Sequence, residues 1–321
     1  MKKSTKIWLT TATILSLTGI IMFAVVLAAG GWDAMTLNGI KFEFNTHYID
    51  DSFTDISVET DTADVYFRLS ENGECKVDLN EFAKERHTVK VENGTLKISV
   101  KDERKWYEHI TFFSFGRTKI TVYLPEGAYG ALSVKQSTGD IKLPSVFTFN
   151  SLDLWGSTGD ADVHATVTGE AKVRRSTGDI DVVGATVGSL NLTTDTGDVE
   201  VSSLTCQDNI SIKVSTGDVE LENVSCNNFA SMGSTGEISL ENVIASGSMQ
   251  IERSTGDVEF EGSDAAKISV TTDTGDVKGS FRSPKIFFTE TDTGNVKVPH
   301  MTEGGVCEIK TDTGDIKMSV R

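Results

Sequence analysis

One tetrapeptide, [SD]-T-G-[DEN], recurs with its glycine at Gly139, Gly159, Gly178, Gly197, Gly217, Gly236, Gly256, Gly275, Gly294 and Gly314. The successive spacings are 20, 19, 19, 20, 19, 20, 19, 19 and 20 residues. So constant a period confines the chain to repeat architectures, in which no unit buries its own apolar face and stacked neighbours supply the core.

Aligning the copies on the glycine exposes the unit. Seven and five residues before it stand pairs such as Leu132 and Val134, Leu190 and Leu192, Ile210 and Ile212, Ile268 and Val270. Thr precedes the glycine in every copy, and two and four residues after it come Ile141 and Leu143, Val199 and Val201, Val219 and Leu221, Val258 and Phe260. Seven residues after it lie Val146, Leu204, Val224 and Val243. Within each run the period is two, so each run is a strand with one buried face. Across the glycine the inward step becomes three, which marks a corner with Gly and the next acid facing out. Gly suits a corner because positive φ costs it nothing. Parallel strands stack at about 4.8 Å, so ten coils make a rod of roughly 50 Å. Hexapeptide β-helices and leucine-rich repeats have other periods and patterns. The fold class is therefore all-β: a single-stranded, β-helix-like β-solenoid of about ten coils of 19–20 residues, over residues 126–321.

The segment 40–125 also reads as strands and is assigned to an N-terminal β cap continuous with the rod. Thr60-Asp-Thr-Ala63-Asp-Val resembles a decayed corner with Ala in the place of the glycine, and Val89 to Ile98 reads as a hairpin around Asn93-Gly94. At the other end no cap is evident, and Lys310, Lys317 and Arg321 are read as blunting the open edge.

Ahead of the β region, Lys2, Lys3 and Lys6 precede an uncharged stretch from Ile7 to Ala29, with Asp33 the first acid after it. About 20 apolar residues span a bilayer core. The expectation is a transmembrane anchor over 7–29, a cytoplasmic N-terminus over 1–6, a linker over 30–39 and an extracellular remainder. The rival is a cleaved signal peptide with its site near Ala28 and Ala29.

Lys plus Arg number 30 against 47 Asp plus Glu, a formal charge of −17. Such a balance excludes a nucleic-acid partner, which needs clustered cations. The four cysteines are too few for a disulfide scaffold. The anchor, the Tyr123-Leu-Pro-Glu-Gly segment and the serial S-T-G-D corners together resemble the bacterial "putative adhesin" β-strand-repeat family, which includes LiaG-like membrane-anchored proteins. The resemblance covers residues 40–321. It implies an envelope-associated solenoid and supplies no catalytic residues.

The corner acids form a column from Asp140 through Asp160, Asp179, Asp198, Asp218, Glu237, Asp257, Asp276 and Asn295 to Asp315. One reading is that these short side chains accept bonds from corner amides. The sharper one is Ca²⁺ held between Asp273, Asp276, Asp292, Asp312 and Asp315, since hard oxygen ligands suit it. No other cofactor is expected. D-T-G also occurs in aspartic proteases, but here it alternates with S-T-G as a corner. Three residues after the glycine runs an exposed row, Lys142, Asp162, Asp181, Glu200, Glu220, Ser239, Glu259, Lys278, Lys297 and Lys317, which is either a solvated face or a polarised binding face. Cys206 and Cys226 stand nine residues after their glycines in adjacent coils, within disulfide range. Cys307 takes an inward position and Cys75 has no evident mate. Trp106, Tyr107, His109, Phe112, Phe113 and Phe115 cluster as packing or as a sugar- or membrane-facing platform. The five histidines show no metal-ligand spacing, and no nucleophile elbow, P-loop or dinucleotide fingerprint is present.

These residues predict a non-enzymatic, adhesin-like or envelope-stress-associated scaffold that engages an envelope protein or wall polymer. The alternatives are a Ca²⁺-stabilised rod and a carbohydrate-active β-helix enzyme, which would need carboxylates placed in a groove.

Overall fold

The computed structural model of the protein describes residues 12–13, 15–21, 42–82, 85–102 and 118–321. Its strands join in one continuous sheet wound as a solenoid. Each winding carries one strand that runs up to the corner threonine and another that begins two residues past the glycine, as in Asn209–Thr216 and Val219–Cys226. Neighbouring windings pair in parallel with corner on corner, for example Thr138 on Thr158 and Thr216 on Thr235. The alternating aliphatic residues point inward. Leu190, Leu192, Val199 and Val201 are at most 2% exposed. One expected inward place is displaced: Val146 is 43% exposed and Phe147 fills the core instead.

Glycine is demanded at the corner for two reasons. Gly159 has φ +118°, a region closed to most side chains, and a Cβ there would overlap the carbonyl of Gly139 in the winding beneath. A second corner lies six residues later, at Gly184, Ser203, Asn223, Asn242 and Gly262, all with φ between 54° and 65°. Asn and Ser there have short polar side chains, and Asn is among the few non-glycine residues enriched at positive φ. The Asn242 amide donates to Asn223 at 2.5 Å, bonding two of these corners across windings.

At the N-terminal end, β1 (Phe42–Ile49), β2 (Asp55–Leu69), β3 (Cys75–Phe82), β4 (Glu85–Glu92), β5 (Thr95–Asp102) and β6 (Thr118–Leu124) close the stack. β2 is itself a winding: Thr62 pairs with Thr138 and Ala63 stands under Gly139. β5 and β6 lie on the far side of β2 as a further parallel winding. Beyond them the direction reverses, with β4 antiparallel to β5, β3 antiparallel to β6 and β1 antiparallel to β3. The β4–β5 hairpin turns at Asn93 and Gly94, both at positive φ, as two-residue hairpins require.

The C-terminal end departs from sequence order. Val258–Thr274 pairs with Gly305–Thr313, and Lys285–Thr293 pairs with the other edge of Gly305–Thr313. The corners therefore stack as Gly275, Gly314, Gly294, and the winding that ends at Arg321 is an inner one. Lys317 and Lys310 do not guard the terminal edge; residues 285–297 form it.

The expected membrane anchor is not supported among the described residues. Within the uncharged stretch residues 12–13 and 15–21 are helical, and no helix among the described residues is long and apolar enough to cross a membrane. Thr13, Ser16, Thr18 and Gly19 weaken both the apolarity and the helix propensity of this stretch. The single-pass placement, cytoplasmic N-terminus and extracellular remainder, falls with the anchor. The aromatic cluster from Trp106 to Phe115 lies outside the described residues.

Candidate interaction surface

The corner carboxylates form a ladder through the backbone. The Asp160 amide donates to Asp140 Oδ1 at 3.1 Å, that of Asp198 to Asp179 at 2.8 Å, and that of Asp276 to Asp257 at 2.8 Å. At the end the order follows space and not sequence: the Asp315 amide donates to Asp276, and the Asn295 amide to Asp315, both at 2.7 Å. Inside the corner, threonines three residues before the glycine donate to the glycine carbonyl of the winding beneath, Thr194 to Gly178 at 3.2 Å and Thr311 to Gly275 at 3.1 Å. Charge-assisted bonds of this kind offset the repulsion of acids stacked at about 5 Å.

Of the Ca²⁺ candidates, Asp276 and Asp315 thus already spend an oxygen on the ladder. Asp273, Asp312 and Asp292 follow one another along the outer face of three stacked windings. Among the described residues, no group of three or more His, Cys, Asp or Glu is placed to hold a metal ion. Cys206 and Cys226 sit in adjacent windings as free, buried thiols. Burial pushes Cys226 up to about 12, helped by the neighbouring Cys206, and Cys206 Sγ donates to the Gly188 carbonyl at 3.4 Å. Cys307 is fully buried in the core, also pushed up to about 12 by burial, and Cys75 is half-buried.

The outward row three residues past the glycine is in strict register. Lys142 stands beside Asp162, then come Asp181, Glu200, Glu220, Ser239, Glu259 and Lys278. Lys142 pairs with Asp162 at 2.5 Å and Lys278 with Glu259 at 3.3 Å, so both ends of the acidic block are neutralised. Its middle is not. Burial first, then Asp162, Glu200, Asp179 and Asp160, raise the Asp181 carboxyl above the usual carboxylate range. Past Lys278 the row continues as Lys317 and Lys297, three adjacent lysines in an order set by the threading.

The sequence of this solenoid matches one family over both of its halves, residues 53–209 and 207–321. The chain belongs to the Toastrack DUF4097 family. Among the curated proteins none matches this Toastrack chain. Among solved structures, it is similar to a "putative adhesin" of Bacteroides fragilis at 19% identity and TM-score 0.41, covering 87% of this chain and 97% of that one. A "putative adhesin" of Parabacteroides distasonis follows at 11% and 0.46 with 87% and 97% covered, and a "putative lipid binding protein" of the same species at 14% and 0.43 with 86% and 97%. The solenoid assignment rests on strand register and not on these likenesses.

The Toastrack rod also holds polar groups that no spacing announced. In the cap, Thr60 Oγ1 lies 2.9 Å from His87 Nε2, and His87 Nδ1 lies 2.8 Å from Glu81 Oε2. A hydroxyl, an imidazole and a carboxylate in this order resemble a hydrolytic triad. Thr60 occupies the inward column three residues before Ala63, however, and is 6% exposed, so its oxygen faces the core and not a substrate. Glu81 also accepts from Asn45 Nδ2 at 3.0 Å and from the His87 amide at 2.6 Å. The cluster is a satisfied polar plug. In the same inward column, Arg175 and Arg253 are buried beside Gly156 and Gly233, their guanidinium groups filling the space a Cβ would need. Burial lowers both to about 10. Buried Lys285 pairs with Asp264 at the edge of a cleft of about 520 Å³.

Proposed function

We propose that this Toastrack chain is a non-enzymatic, adhesin-like interaction rod whose acidic row receives a cationic patch on an envelope protein or wall polymer. The observation that carries the reading is the in-register block Asp162, Asp181, Glu200 and Glu220. Like charges directly opposite on adjacent strands destabilise a sheet by some tenths of a kcal/mol each. The direction of the Asp181 shift agrees: its folded pKa is raised, so stability is gained as pH falls through it and the row is a cost at neutral pH. A surface that keeps such a cost attracts and orients a partner of opposite sign. The only hydroxyl–imidazole–carboxylate cluster among the described residues faces the core, which favours binding over catalysis.

The test immobilises the full chain and passes envelope proteins and wall polymers over it. A retained partner is expected to be released by raising the salt, which shortens the reach of exposed charges below the roughly 10 Å it has at 0.1 M. It should be lost from an Asp181→Lys, Glu200→Lys variant. No retention, or retention indifferent to both changes, defeats the proposal.

A further inference from the structure

Among the described residues, the winding formed by Lys285–Thr293 and Val296–Lys297 is hydrogen-bonded on one side only, to Gly305–Thr313 and Ile316–Val320. Its other edge presents the free backbone groups of both strands. Its inward side chains are uncovered as well. Val296 is 45% exposed, while Ile316 and Val277, its counterparts in the next two windings, are completely buried. Phe287, Thr289, Thr291 and Val298 are half-buried, and Phe288 beside them is 57% exposed.

The opposite end of the rod cannot receive this edge as one more parallel winding, because β3 and β4 run antiparallel across it. Two copies that meet through their open ends are related by a two-fold axis. An axis parallel to the plane of the last winding, half a strand spacing (about 2.4 Å) outside it and passing over the Gly294 corner, has a definite consequence. The strand that approaches the corner in one copy falls beside the strand that leaves it in the other, and the two run antiparallel. With the axis passing between Thr293 and Gly294, inward residues stay opposite inward residues: Thr291 faces Val296, Thr289 faces Val298, Asp292 faces Asn295 and Glu290 faces Lys297, each pair occurring twice. Inside the chain Glu290 has only Lys310 at 3.8 Å, with 65% of its side chain exposed, so it is free to take a second cation. The register that matches the faces is also the one that matches the charges.

We propose that two copies of this chain join tail to tail, Lys285–Thr293 of each pairing with Val296–Lys297 of the other, with Glu290 and Lys297 as reciprocal ion pairs.

Sedimentation equilibrium on the full chain tests this. A concentration-dependent dimer is expected. Glu290→Lys and Lys297→Glu each set like charges face to face at both symmetric positions and should raise the dissociation constant at least about tenfold. Combining the two restores opposite charges and should recover most of the affinity. Thermal melts of the three variants, taken at dilutions where the parent is monomeric, check that each is folded; both residues are exposed, so all should melt with the parent there. A monomer at every concentration, a dimer untouched by the single changes, or a double variant no tighter than the singles overturns the proposal.

Discussion

The two ends of the rod are threaded alike and finished differently. At each end a winding adjacent in sequence is laid outermost, β5 with β6 outside β2 at one end and 285–297 outside the final winding at the other. Only the N-terminal end then adds antiparallel strands and a hydrogen-bonded plug of Thr60, His87, Glu81 and Asn45. Leu96, Ile98, Ile120 and Val122 behind that cover are at most 1% exposed, whereas Val296 at the open end is 45% exposed. What closes a solenoid is therefore a change of strand direction over a hydrogen-bonded plug; position at the end of the stack does not suffice.

The strongest way to break this contrast is to remove the plug's acceptor. Glu81→Ala leaves the His87 amide, the imidazole and the Asn45 amide without their common partner in a site where Glu81 is 2% exposed. A loss of about 4 kcal/mol is expected, read from urea denaturation. Glu290→Ala at the open end removes an exposed pair and should cost under about 0.5 kcal/mol. Equal losses would mean the ends do not differ in the way described.

Glycine corners near the two ends sharpen it further. Gly139, at φ +139°, is held between the Ala63 and Gly159 windings. Gly139→Ala should cost about 3 kcal/mol, since both the backbone region and the carbonyl of Ala63 exclude a Cβ. Gly294 meets the same obstacle from the Gly314 carbonyl, but its winding is free to lift away from the stack. Gly294→Ala should cost nearer 1 kcal/mol, and hydrogen exchange should show the loosening confined to 285–297.

The glycine corners were legible in the sequence because one residue type meets both the conformational and the steric demand. The second corner was hidden because Gly184, Ser203 and Asn223 all answer the milder demand of a positive φ near 60°. The cap plug was hidden because its members are brought together by four different strands with no common spacing. The exchange of the last two windings was invisible for another reason: Asp292-Thr-Gly and Asp312-Thr-Gly fit equally well over Asp273-Thr-Gly. Their inward residues separate them. The winding with Cys307, Ile309, Ile316 and Met318 is apolar at all four of these inward places and gains from cover on both sides. The one with Thr289 in an aliphatic place loses less at the exposed end.

The smallest expected effect is the most discriminating, because it compares one residue type in one column. Thr60 and Thr291 both stand three residues before the corner. Thr60 bonds His87 in a buried site, and Thr291 donates to the Gly314 carbonyl at 3.0 Å from a half-buried one. Thr60→Val strands an imidazole nitrogen away from water and should cost about 1.5 kcal/mol. In a single copy, Thr291→Val leaves a carbonyl that water can reach, and about 0.5 kcal/mol is expected in dilute solution. In a tail-to-tail pair Thr291 faces Val296 and that water is excluded, so the cost should grow as protein concentration rises. Melting both variants across a dilution series separates the two conditions: a Thr60→Val loss that stays constant beside a Thr291→Val loss that grows would mark the open end as the one covered by association.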